Sequence, residues 1–166
     1  MADPEASRPH MPGYGVVGPF DGRGLLPWTW ATERLVSSHD YWLATVHPSG
    51  SPHVMPVWGV WEQGAAWFSS SPRSRKTRNI ASEPRAVITT DNPLQPVVVE
   101  GVVERITDGP TIEQFTRWVN AKYRTDLTAE FFSENALFRL EPHRVFSLDE
   151  ADFTGTPTRW VLEGDQ

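Results

Sequence analysis

The chain has 166 residues, enough for one domain with a sizeable core. Its formal net charge of −6 argues against a nucleic-acid backbone as the main partner. It has no cysteine, which removes disulfides, iron–sulfur clusters, thiolate zinc sites and cysteine nucleophiles.

Residues 1–26 are rich in Pro and Gly and show no apolar periodicity. They are expected to form a flexible or surface-draped arm before a single domain over 27–166. The first ten residues lack the apolar core of a signal peptide, and no apolar run approaches membrane-spanning length. A soluble cytoplasmic protein with no membrane association is expected. Pro27 suits the start of a helix over 28–38. The character then changes to β. Residues 41–47 and 52–61 read as a hairpin around Pro48-Ser49-Gly50-Ser51, with Gly50 in a left-handed position, and 65–70 as a third strand. A helix over 72–82 stops before Pro84, and strands follow at 85–90 and 97–106. Ile112, Phe115, Val119 and Tyr123 recur at helical spacing over 111–123, and a short helix is expected at 128–134. Two closing strands are expected at 136–141 and 144–149, with a last short one at 160–162. The pattern predicts a mainly β (α+β) fold, an antiparallel barrel of six or seven strands with flanking helices.

The basic stretch is the most telling. Arg73 to Arg85 holds five bases and one acid, whereas from Asp91 onward acids outnumber bases 14 to 7. A strand, a serine–proline opening and a helix carrying Arg73, Arg75, Lys76 and Arg78 form a seat for a phosphate. The helix N-terminus offers free N–H groups and a positive dipole end. A basic spot on an acidic protein suits a small anionic ligand rather than a polymer. In the strand over 52–61, His53, Met55 and Val57 face one way and Val54, Pro56 and Trp58 the other. Pro56 lacks a donor and leaves a gap in the ladder. The five histidines show no metal-ligand spacing, and neither a nucleophile elbow nor a glycine-rich phosphate loop is present.

Residues 41–61, with Pro-Val-Trp-Gly in the returning strand, resemble the first hairpin of the pyridoxamine 5′-phosphate oxidase-like split β-barrel superfamily. Residues 74–88 resemble its phosphate-binding helix and next strand. The resemblance implies an intimate homodimer with one cofactor in each of two grooves between subunits. It also implies a flavin-like ring along His53, Met55, Pro56, Val57 and Trp58, a phosphate at Ser74, Arg75, Lys76 and Asn79, and an aromatic contact from Trp160. The implied activity is hydride transfer between the deazaflavin coenzyme F-420, or FMN, and a small organic substrate. The late Thr158-Arg159-Trp160 and Pro-Val-Trp-Gly look closer to the F-420 branch. Arg78, Arg85 and Arg124 are candidates for its polyglutamate tail. Two alternatives from other classes stand beside this: a non-catalytic cofactor carrier and a haem-binding relative.

Overall fold

The computed structural model describes residues 2–162, so the acidic tail beyond Leu162 lies outside the described residues. In chain order the elements are β1 (Glu5–Ser7), α1 (Trp28–Ser37), β2 (Asp40–Val46), β3 (Pro52–Glu62), β4 (Ala65–Ser70), α2 (Arg75–Ser82), β5 (Arg85–Thr90), β6 (Val97–Ile106), α3 (Gly109–Tyr123), α4 (Ala129–Glu134), β7 (Ala136–Ser147) and β8 (Thr158–Val161). All strand pairs are antiparallel. The order β7-β4-β3-β2-β5-β6 closes on itself through β6–β7, giving a six-stranded barrel. β8 and then β1 extend β7 as a side ribbon.

Alternation along the strands fills the barrel. Tyr41 and Leu43 on β2, Phe68 on β4, Ile88 on β5, Val99 on β6 and Val145 on β7 are all 2% exposed or less. α1 caps this core with Ala31 and Leu35, both 0% exposed. A second, smaller core lies outside the barrel wall. There Ile112, Phe115 and Val119 of α3 and Phe132 of α4 cover Val60, Trp67 and Leu137. The three- and four-residue spacing on α3 produces this single buried stripe.

Gly50 sits at φ +89° in the β2–β3 turn, where its N–H reaches the His47 carbonyl at 2.7 Å. The expected pair of strands over 136–149 is one strand, β7. Pro142 invited the break, but it falls at a bulge: Glu100 pairs Arg144 and Gly101 pairs Pro142, leaving His143 extra. A missing N–H is tolerated at a bulge. A Cβ at Gly101 would come within 2.0 Å of the Glu141 carbonyl oxygen, so the bulge needs glycine.

The N-terminal segment is laid on the barrel. Glu5, Ala6 and Ser7 pair Val161, Trp160 and Arg159. The Arg8 guanidinium then donates to carbonyls of two segments, Gly18 at 3.0 Å in the stretch after β1 and Gly155 at 3.0 Å and Pro157 at 2.8 Å in the loop before β8.

Candidate functional site

α2 starts where β4 leaves the barrel. The sequence sets its first turn: Ser74 is the N-cap, and its hydroxyl accepts from the Thr77 N–H at 3.2 Å. The same hydroxyl donates to Thr77 Oγ1 at 3.0 Å and lies 2.9 Å from Ser70 Oγ. Ser74 therefore organises the turn, and its hydroxyl is already taken up by protein partners. The N–H groups of Arg75 and Lys76, ahead of the first intrahelical bond, are left for another acceptor. Arg73, Arg75 and Arg78 are exposed and Lys76 half-buried. Among the described residues none of these four forms an ion pair. Arg85, by contrast, is held by Glu83 in a two-pronged contact at 2.9 and 2.7 Å. That hydrogen bond pulls the Glu83 carboxyl down to about 2. Arg124 is exposed in the left-handed C-cap of α3.

Asn79, expected at the phosphate with Arg75 and Lys76, lies elsewhere on the helix. It is 0% exposed, one turn above exposed Arg75, and turns inward. Its Nδ2 donates to Thr45 Oγ1 at 3.0 Å, so it ties α2 to β2. Its Oδ1 is buried without a partner, as is His53 Nδ1 on the strand position opposite Thr45. Two orphaned polar atoms thus lie under α2, around Thr45.

β3 shows the expected alternation. His53, Met55 and Val57 pair Thr45, Leu43 and Tyr41 on the inward face. Val57 is buried, His53 half-buried and Met55 open at 45%. Val54, Pro56 and Trp58 face out with their partners Ala44, Trp42 and Asp40. Trp42, Val54 and Trp58 are each close to half exposed, and Val46 and Pro56 are exposed beside them. The hairpin carries an apolar outer strip that stays largely open among the described residues, although Tyr123 of α3 covers one face of Trp58. Trp160 stands apart from these residues. At 1% exposure, edge-on to Trp28 at 5.5 Å, it closes the core, and its ring has no free face.

Sequence reasoning missed the cluster at the C-terminal end of α3. Tyr123 stacks flat on Trp58, with centroids 4.1 Å apart and planes 3° from parallel. Its hydroxyl donates to the His39 carbonyl and accepts from the Gly59 N–H at 2.9 Å. Burial pushes its phenol up to about 12. Lys122 beside it donates to the carbonyls of Ser38 at 2.6 Å and Gly59 at 2.7 Å. Desolvation lowers the Lys122 ammonium to about 8. The only signal for this cluster was Tyr123 at the end of the α3 stripe, which reads equally as core.

Two clefts lie elsewhere. One, of about 450 Å³, lies between α1 and the loop after β5, beside Arg34, Asp91 and Gln95. The other, of about 520 Å³, lies between α1, α3 and the end of β3. No α2 residue lines either.

A closed six-stranded antiparallel barrel with flanking helices, one of them opening on cationic residues, defines a split-barrel protein. Residues 31–149 match the family model described as pyridoxamine 5′-phosphate oxidase. The chain belongs to that family. No curated protein matches the chain. Among solved structures it is similar to the conserved hypothetical protein Rv2991 from Mycobacterium tuberculosis. That match has a TM-score of 0.70 and 20% identity, over 84% of this chain and 89% of that one. It is also similar to a protein described as an F420 reductase, with a TM-score of 0.57 and 26% identity, over 68% of this chain and 93% of that one. A heme-binding protein from Mycobacterium smegmatis matches with a TM-score of 0.55 and 24% identity, over 79% of this chain and 62% of that one.

Proposed function

We propose that this protein is a cytoplasmic homodimer that binds coenzyme F-420, or FMN, and uses it for two-electron transfer with a small organic substrate. The observation that carries this reading is the set of unpaired cations and free N–H groups at the start of α2. It lies on the chain next to β4 and one barrel strand from the open β3 strip. The residues fit the group. Arg75 and Lys76 would hold its phosphate, and β3 from Met55 to Trp58 would lie along its ring. When bound, the cofactor supplies the hydride chemistry; the protein positions it and shields it from water. Ser74 and Asn79 act behind the contact, one by shaping the turn and the other by fixing α2 to β2.

The outer strip of β2 and β3 supports the dimer. A monomer rarely leaves two half-exposed tryptophans beside three further apolar side chains. Obligate interfaces resemble a core cut in half. The likeness to an F420 reductase across 93% of its length favours the deazaflavin over FMN. The likeness to a heme-binding protein keeps a second reading open, in which the same barrel binds haem without hydride chemistry.

The test is a titration of the purified protein with F-420, FMN and haem, followed by absorbance and tryptophan fluorescence at low and high salt. F-420 is expected to bind tightest and to weaken as salt rises, because its exposed glutamates are screened over about 8 Å at physiological salt. FMN, held by one phosphate, should respond less. Salt-insensitive FMN binding with no F-420 signal replaces the deazaflavin reading, and haem binding alone replaces both.

A further inference from the structure

The cleft between α1, α3 and the end of β3 has no part in the cofactor reading, yet it has the makings of a ligand site. Its volume, about 520 Å³, falls within the usual range for small-molecule pockets. Its lining is mostly apolar. Val60 and Trp61 at the end of β3, Trp118 of α3 and Val36 of α1 line it, Val60 and Trp118 belonging to the outer core and Trp61 to the barrel interior. Val36 is 59% exposed, an aliphatic side chain left in water at the mouth. Trp118 is already fixed by its ring contact with Trp67, at 5.4 Å. The indole wall is therefore set before any ligand arrives.

The polar groups are asymmetric. Arg117 and Lys122 are the two cations of the lining and Glu62 its one acid. Lys122 makes its hydrogen bonds to the Ser38 and Gly59 carbonyls and the Tyr41 hydroxyl, all neutral acceptors. Among the described residues neither Lys122 nor Arg117 forms an ion pair. Arg117 is exposed and spends one nitrogen on Gln114 Oε1, at 2.7 Å. The rest of its fork is free for a planar anion. The lining thus offers indole surface for a ring, a guanidinium for an acidic group, and a nearby ammonium whose charge no contacting carboxylate cancels.

We propose that this cleft is a second binding site, for a flat aromatic monoanion of about two fused rings, with its ring against Trp118 and its acid on Arg117. Lys122 contributes field rather than a hydrogen bond. Glu62 disfavours ligands with a second negative charge. The site is independent of α2 and of whichever cofactor α2 holds.

The test uses 2-naphthoate and its neutral isostere 2-naphthamide, titrated calorimetrically into the full chain. One naphthoate per chain is expected. The amide should bind roughly tenfold more weakly, which is the lower end of what a charge-assisted hydrogen bond contributes. Arg117→Gln changes an exposed side chain and should erase the difference between acid and amide. Ala121→Trp fills the cleft from an exposed position on α3 and should abolish binding while the thermal melt is kept. The proposal is overturned if the acid does not bind at millimolar concentration or if acid and amide bind alike. It is equally overturned if Arg117→Gln leaves the preference intact, or if a folded Ala121→Trp protein still binds.

Discussion

The Lys122 ammonium is solvated by the protein itself, and this gives stability an unusual dependence on pH. In the unfolded chain a lysine holds its proton to about 10.4. In the fold, desolvation lowers it to about 8. Between those values the unfolded chain binds more protons than the native one, so stability rises with pH. Tyr41 and Tyr123 are both shifted upward by burial and stay protonated in the fold. Above about 10 the unfolded tyrosines ionise first, and stability falls again. Chemical denaturation from pH 7 to 11 should show a rise of about 1 kcal/mol, reduced by the partial exposure of Lys122, then a decline. In Lys122→Met the rise should vanish; an unchanged profile would show that Lys122 is not its source. Lys76 makes the opposite case, a cation with no partner. Lys76→Ala should weaken cofactor binding by about 1.5–3 kcal/mol. Its melting temperature should hardly move, since alanine suits an accessible helix position. Equal affinity for F-420 and FMN before and after the change would remove Lys76 from the site.

At the level of elements, the sequence signalled most of what could be signalled locally. Gly50 marks its turn, the α3 stripe marks its helix, and the serine–proline opening marks α2. What stayed hidden depends on distant partners. Asn79 reads as a polar helix residue on the side of Arg75, and only its bond to Thr45, 34 positions away, shows that it faces inward. Pro142 reads as a strand break, and only the opposing Gly101 turns it into a bulge. Trp160 reads equally as a groove aromatic or as a tryptophan closing the barrel, and only Trp28 against it decides for the second. Residues 1–26 read as a flexible or surface-draped arm, and nothing in the sequence around Arg8 names the carbonyls it meets. That attachment is testable. Arg8→Ala should open the loop over 9–24 to limited proteolysis while the barrel keeps its melting temperature, because the hydrogen bonds it removes lie outside both cores. Tyr123→Phe tests the other junction, α3 on β3. It leaves the Gly59 N–H without its acceptor and should cost about 1–3 kcal/mol by urea denaturation.

At the scale of the whole molecule, the proposed dimer would bury the apolar outer strip against a second copy of the chain. Light scattering at micromolar concentration should give twice the protomer mass. Trp42→Glu, placing a charge in the middle of the strip, should give a folded monomer with native circular dichroism. A wild-type monomer would count against both the dimer and the inter-subunit grooves. The inter-subunit grooves are expected only from the resemblance, because one sequence carries no trace of which of its surfaces meet.

Closure of the barrel also governs how the chain reaches its fold. Three of the six barrel pairings, β2–β3, β3–β4 and β5–β6, join strands consecutive in the chain with no helix between them, so hairpins such as β2–β3 should form early and locally. β4 and β7 are different, since their paired residues lie 66 to 74 positions apart. Joining them must wait until β5, β6, α3 and α4 are in place, and the loop entropy is met before the contact is gained. The seam between β4 and β7 should therefore be the last part to form and the first to open. Truncating Phe138, which pairs Phe68 across that seam, should accelerate unfolding far more than it slows folding. The same truncation at Leu43 in the early hairpin should act mainly on the folding rate.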